Sequence, residues 1–502
     1  MLRTLLSLPL RAAATLVPAG PCGRVVALLA GALLASAAGA QGAAPGSLKR
    51  GIERIVGRPA FEPAFWGIEV RSLRSGKRLY SYNAQKNFTP ASTLKLVTAA
   101  AALDALGPET RVTTSVETNG SLDASGRILG DVYLVGRGDP DLSARPSGGR
   151  ATGSLEGLVQ ALHAAGVRRI EGRLVGHEGA FSGERRGADW SWEDLFWSYG
   201  AEISSLSIME NVAELTVGPG ERVGDPLVVG RYPASSYYTV ASTATTSASG
   251  AESDLALFRA PGSRVIRLSG THPAGSAPEL LAVALEDPAR YAATVLAEML
   301  EARGVLVTGP VETSSEPLPP AARVLASHDS EPLSEILKSV NKSSRNLHAE
   351  LLLRLLALRV KGGGSVEAGR EALRDFLVRA GVPSDTWAVQ DGSGLSRSDL
   401  LSPAGLVELL VFMDRHRHGR VFRESLAIAG VDGTLEKRMR GSPAAGRIRA
   451  KTGTLRQVNA LAGYAEAGGG ERLAFAIVVN HYAGPGREAT AAIDAICELL
   501  VD

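Results

Sequence analysis

Apolar and polar positions change period along the chain, and the changes mark its elements. LKRGIERIVG, from Leu48, spaces its apolar residues as a helix does, and FWGIEVRSLRSGKRLYSY then alternates about a Ser75-Gly76 turn, which predicts a hairpin. TPASTLKLVTAAAALDALG follows. Thr89 suits an N-cap, Pro90 the first helical position and Gly107 a stop, so a nearly all-apolar helix is predicted to end near Leu106. From Arg111 to Asp287 short strand-like runs alternate with Gly, Asn, Asp and Pro turns, interrupted by one helical segment, GSLEGLVQALHAAG. Helical spacing returns in ARYAATVLAEMLEARG and in one long stretch, EPLSEILKSVNKSSRNLHAELLLRLLALRVKGG. Two more helices, VEAGREALRDFLVRAG and SPAGLVELLVFMDRHRHG, precede the strands NALAGYAEAGGG and RLAFAIVVNHY and a terminal helix.

Helices and antiparallel strands at both ends around a β-rich middle predict an α+β domain split in sequence by an insertion. The expected division is 41–110 with 288–502 for the split domain and 111–287 for the inserted region, itself in two sub-domains. At 502 residues and 45% hydrophobic, the chain can bury cores of that size.

The N-terminus changes the picture. Arg3, Arg11 and Arg24 with no acid, then VVALLAGALLASAAGA, form the pattern of an export signal over residues 1–40, cut before Gln41. The apolar run is short for a membrane span, and Cys22 precedes it, where a lipoprotein cysteine would follow. Removing three arginines takes the formal charge from +2 to −1, which is no nucleic-acid footprint. It also leaves Cys497 as the sole cysteine, so no internal disulfide is expected.

Three short segments carry candidate chemistry. Ser92 and Lys95 lie one helical turn apart, close enough for an amine to take a hydroxyl proton, at a helix start whose free N–H groups favour negative charge. The spacing alone is cheap: it recurs at Ser339 and Lys342. Ser344 and Asn346, in KSSRNLHAE, can relay a proton and hold an amide, and they equally fit N-capping. Lys451, Thr452, Gly453 and Thr454 fall in a strand-like run, where a glycine permits close approach and the lysine and hydroxyls can hold a carboxylate.

In this order, Ser-x-x-Lys, Ser-x-Asn and Lys-Thr-Gly resemble the signature of penicillin-binding proteins and serine β-lactamases. Arg345 fills the middle of the second motif. The 252 residues from Ser92 to Ser344 make the chain similar to the low-molecular-mass class C, penicillin-binding protein 4 type, D-alanyl-D-alanine carboxypeptidases/endopeptidases of peptidase family S13. The resemblance extends to GRGDPDLS (136–143), to DGSGLSR (391–397), whose Arg397 would border the substrate pocket, and to DWSWEDLFWSYGAEISSL. There Asp194, with Tyr199 nearby, would face the amino end of a diaminopimelate side chain. The family's glutamine just after Lys-Thr-Gly is Arg456 here.

The resemblance implies a periplasmic serine carboxypeptidase acting on peptidoglycan stem peptides, acylated covalently by β-lactams, with no cofactor and no metal. Lys95, kept neutral by burial and by the charge of Lys451, would deprotonate Ser92. The N–H groups of Ser92 and Thr454 would form the oxyanion hole, Lys451 and Thr452 would bind the terminal carboxylate, and Ser344 would pass the proton to departing D-alanine. A non-catalytic peptidoglycan-binding scaffold and a β-lactamase are the alternatives. No Gly-x-Ser-x-Gly, His-Glu-x-x-His or Cys-x-x-Cys occurs to support another hydrolase chemistry.

Overall fold

The computed structural model describes residues 45–140, 142 and 153–502. The expected export signal (1–40) and residues Asp141 and Ser143 of GRGDPDLS lie outside them. Among the described residues no helix is long and apolar enough to cross a membrane.

The two ends of the chain meet in one six-stranded antiparallel sheet. The hairpin β1 (Phe65–Ser72) and β2 (Arg78–Tyr82) joins the late strands β3 (Ala427–Ile428), β4 (Ile448–Leu455), β5 (Val458–Glu466) and β6 (Arg472–Asn480) in the order β2-β1-β6-β5-β4-β3. Strand β6 is apolar almost throughout because both faces are covered. Helices α1 (Pro45–Val56) and α2 (Gly486–Val501) share a core with Ile448, Ala450 and Leu461 on one face; Cys497 is buried there. On the other face lies an all-helical layer: α3 (Lys95–Leu106), α4 (Leu333–Asn341), α5 (Asn346–Lys361), α6 (Val366–Arg379) and α7 (Pro403–Arg415). Helix α3 is apolar all round because it runs through the middle of that layer, with Lys95 to Leu103 all buried.

Two local expectations change. The predicted helix after Thr89 begins as a 3-10 turn, Ala91–Leu94, with no side-chain cap, and becomes α-helical only at Lys95. Side chains three residues apart eclipse in a 3-10 turn, which stacks Lys95 directly over Ser92. The long helical stretch from 333 is two helices, broken at 342–345, and Ser344 in the break has φ +60°.

Among the described residues the inserted region contains four sheets. One runs, in spatial order, Val311–Ser314, Leu174–His177, Val132–Val135, Thr113–Thr118 and Arg323–Asp329. Helix Pro288–Glu301 buries Tyr291, Val295 and Leu296 in the same core as Val116, Leu215 and Ile266. The pairing thus carries the inserted region to Asp329, and we place the return to the split domain at Ser330 rather than at 288. Helical spacing in 288–301 says nothing of which core the helix enters. Among the described residues one large hydrophobic cluster reaches all four of these sheets.

Candidate active site

Lys95 and Lys451 are both fully buried, and their partners explain why each can be there. Lys95 Nζ lies 2.9 Å from Ser92 Oγ, 2.6 Å from Asn346 Oδ1 and 2.7 Å from the Ser393 carbonyl oxygen. The last two are pure acceptors. A neutral amine has two N–H bonds to give them, which leaves its lone pair for the Ser92 hydroxyl. The sites of Ser92, Lys95 and Asn346 therefore match a serine activated by an uncharged lysine. Asn346 does not cap its helix; its Nδ2 donates to the Tyr199 carbonyl (2.9 Å).

Strand β4 presents Lys451 and Gly453 to the helical layer. Lys451 Nζ donates to Ser344 Oγ and to the Thr452 carbonyl, both at 2.8 Å. Gly453 is required by proximity: a Cβ there would stand 2.7 Å from the Pro90 carbonyl oxygen and 3.2 Å from Thr93 N, so glycine lets the strand lie against the Ser92 turn. Ala91, just before Ser92, has φ +47°, and like Ser344 it is in left-handed backbone.

Burial pushes Lys95 down to about 8, against the opposing charges of Asp391, Glu350 and Asp399. Lys451 is held well below the usual lysine range, by burial first and by Lys95 second. Desolvation is thus the main cause for both amines, and their mutual repulsion acts on Lys451. Of burial and Lys451, the two causes expected to keep Lys95 neutral, burial is the one that acts on it first.

A cavity of about 870 Å³ opens over Ser92. Its wall includes Ser344, Asn346 and Thr454 beside Ser92, and Asp194, Tyr199 and Arg397 farther out. Tyr199 OH donates to Asp194 Oδ1 (3.2 Å), and burial raises the Asp194 carboxyl above its usual range while Arg397 opposes the rise. Arg397 Nη1 lies 3.4 Å from the Arg456 carbonyl, and Arg456 and Gln457 both line the cavity. Thr452 differs from expectation: it turns its hydroxyl to Thr434 (2.9 Å), on the strand face opposite Lys451, and is not part of the wall. Strand β3 pairs with β4 only at Ala450 and Arg449, which leaves the β4 edge unpaired from Lys451 onward among the described residues.

The repeated Ser-x-x-Lys pair is structural. Ser339 bonds the Ile336 carbonyl and His348, and Lys342 pairs with Asp432. Arg137 of the Arg-Gly-Asp tripeptide bonds Ser115 and Glu117.

Sequence reasoning missed the Ser393 carbonyl, the acids Asp391, Glu350 and Asp399 behind Lys95, and the Glu210–Arg345 ion pair that ties Ser-Arg-Asn to the inserted region. A carbonyl leaves no sequence signal. An acid inside the apolar run NLHAELLLRLL was the one available clue, at Glu350.

Comparison with known proteins agrees with this geometry. Residues 48–500 match the model of the D-Ala-D-Ala carboxypeptidase 3 (S13) family. A D-alanyl-D-alanine carboxypeptidase of Actinomadura sp. (strain R39) is 36% identical over 460 residues, covering 89% of this chain and 84% of that protein. The carboxypeptidase DacB of Haemophilus influenzae is 29% identical, covering 83% and 85%. A crystal structure of penicillin binding protein 4 (dacB) from H. influenzae superposes with a TM-score of 0.78 at 26% identity, over 89% of this chain and 97% of that one. A split α+β fold, a serine stacked under a buried lysine and a match over nearly the whole described chain lead to one conclusion: the chain belongs to the D-Ala-D-Ala carboxypeptidase 3 (S13) family.

Proposed function

We propose that Ser92 is the nucleophile of a serine-type D-Ala-D-Ala carboxypeptidase that trims peptidoglycan stem peptides outside the inner membrane, after export directed by residues 1–40. The observation that carries this is the Lys95 amine, buried and bonded at once to Ser92, Asn346 and the Ser393 carbonyl.

The stem peptide lies extended along the free edge of β4, where backbone groups can pair with it. Lys95 takes the Ser92 proton as Oγ attacks the carbonyl between two D-alanines. The N–H groups of Ser92 and Thr454 receive the oxyanion, each such donor being worth about 10²–10³ in rate. Ser344, held by Lys451, passes the proton taken up by Lys95 on to the departing D-alanine amine and keeps its own hydroxyl proton in the exchange. Water then hydrolyses the ester and Ser92 recovers its proton. The same acyl-enzyme supports cleavage of the D-Ala-to-diaminopimelate crosslink. Asp194 and Tyr199, opposite Arg397, suit a side chain that ends in both an amine and a carboxylate.

Incubation with fluorescent penicillin tests the assignment. Stable labelling of the full chain that disappears in Ser92→Ala is expected. Absence of labelling overturns it in favour of a scaffold, and fast sustained nitrocefin turnover overturns it in favour of a β-lactamase.

A further inference from the structure

Behind Lys95 lies a buried acid cluster that no step above uses. Asp391 gathers four N–H donors. Its Oδ1 accepts from Ser393 N (3.0 Å) and Gly394 N (2.6 Å), and its Oδ2 from Ser396 N (2.8 Å) and from the indole Nε1 of Trp190 (2.9 Å). Convergence of four donors suits a carboxylate anion. Glu350 accepts from Gly392 N on both oxygens, at 3.0 and 3.1 Å. Asp399 accepts from Gln390 N (2.7 Å), and its other oxygen gains a partner only by carrying a proton and donating it to Asp391. Burial, then the Asp391 charge, holds Glu350 and Asp399 above the ordinary carboxylate range.

The loop folded around Asp391 touches both halves of the nucleophilic pair. Its Ser393 carbonyl is one of the Lys95 acceptors. Gly394, at φ +77°, lies so close to the Ala91 turn that a Cβ would come within 2.0 Å of the Ala91 carbonyl oxygen. Trp190 reaches this loop from the inserted region, 201 residues away in sequence, and Ser191, Glu193 and Asp194, just after it, line the cavity.

We propose that Trp190 and Asp391 are a positioning pair for the Lys95 base, which joins the cavity wall of the inserted region to the loop that holds the base. The proposal rests on the assignment of Lys95 as base. The groups facing Lys95 are Asp391, Glu350 and Asp399 from the helical side and Lys451 from the sheet; beyond Trp190 the wall adds Glu193, Asp194 and Arg397. Withdrawing the indole N–H leaves the Asp391 charge less neutralised, so Lys95 keeps its proton to higher pH. Removing that charge has the opposite effect, smaller than a full unit charge because Glu350 and Asp399 ionise more readily in its place.

The test is the pH profile of penicillin acylation in the full chain, whose acid limb reports ionisation of the base. Trp190→Phe, which keeps the ring, is expected to move that limb up by roughly half a pH unit, and Asp391→Asn to move it down by about the same. Acid limbs unmoved from wild type, or moved the same way in both variants, would overturn the pair's role whatever happens to the rate. If Trp190→Phe does not fold, the direction of the Asp391→Asn shift decides. Failure of the underlying assignment looks different: wild type itself shows no acid limb, or no acylation at all.

Discussion

Replacing Gly453 by alanine perturbs the contact between β4 and the nucleophile turn without touching a reactive group. The added methyl would stand 2.7 Å from the Pro90 carbonyl oxygen, 3.2 Å from Thr93 N and 3.2 Å from Ala460 Cβ. Two of these neighbours are backbone, and Pro90 O is pinned by Thr93 N and by Thr93 Oγ1 (2.6 Å), so no flexible side chain can swing away. Restoring ordinary van der Waals separation needs the strand and turn to part by roughly half an ångström to one ångström. That gap is the one between the Ser92 and Thr454 N–H groups. A misplacement of 1 Å costs on the order of 10²-fold in rate, so acylation by a fluorescent penicillin should fall about 10- to 100-fold. The overpacking itself costs about 1–3 kcal/mol of stability. Gly484→Ala is the control, because a Cβ there meets only Glu488 Oε2, at 3.6 Å. Stopped-flow acylation and thermal unfolding on both variants separate rate from folding. A Gly453→Ala protein acylated within about twofold of wild type would refute the close-approach explanation of this glycine.

Other consequences follow from the strained and buried groups. Ser344→Gly removes the proton-relay hydroxyl but relieves a side chain held at φ +60°; acylation should drop about 10²-fold while the melting temperature holds or rises. A large fall in melting temperature would show the hydroxyl to be structural. Glu350, pushed up to about 8 by burial and by Asp391, keeps in the native state a proton that the unfolded chain releases near 4.5. Its contribution is therefore fully present below about pH 4.5 and is lost as pH rises through about 8. Urea unfolding across that window should show a slope that Glu350→Gln flattens, and an unchanged slope contradicts the assignment.

The three motifs were legible because each combines reactive residue types with a local pattern: an apolar helix, a helix start, a strand. Residues 92, 95, 344, 346 and 451 come together for that reason. The hairpin and late strands were legible from alternation and turn residues. What stayed hidden is set by contact rather than by pattern. Thr452 shares a motif with Lys451 yet faces the other way, since successive strand residues point to opposite faces. Thr89 is a good capping residue by type, but the chain uses a 3-10 turn there because that stacks Lys95 on Ser92. Ser344 equally fits N-capping by type; its left-handed backbone instead lies in the break between two helices, and its hydroxyl accepts from Lys451. The helix at 288–301 carries ordinary amphipathic spacing, and only its neighbours assign it to the inserted region.

The whole account turns on an uncharged Lys95. Lowering the amine from 10.5 to about 8 raises its neutral fraction at pH 7 about 300-fold, to roughly one molecule in ten. Heteronuclear NMR on protein labelled at lysine 13Cε and 15Nζ, with the signal identified by its loss in Lys95→Met, reads that ionisation directly. A titration midpoint near 8 is the expected result; a Lys95 that stays protonated to beyond about pH 10 contradicts the account.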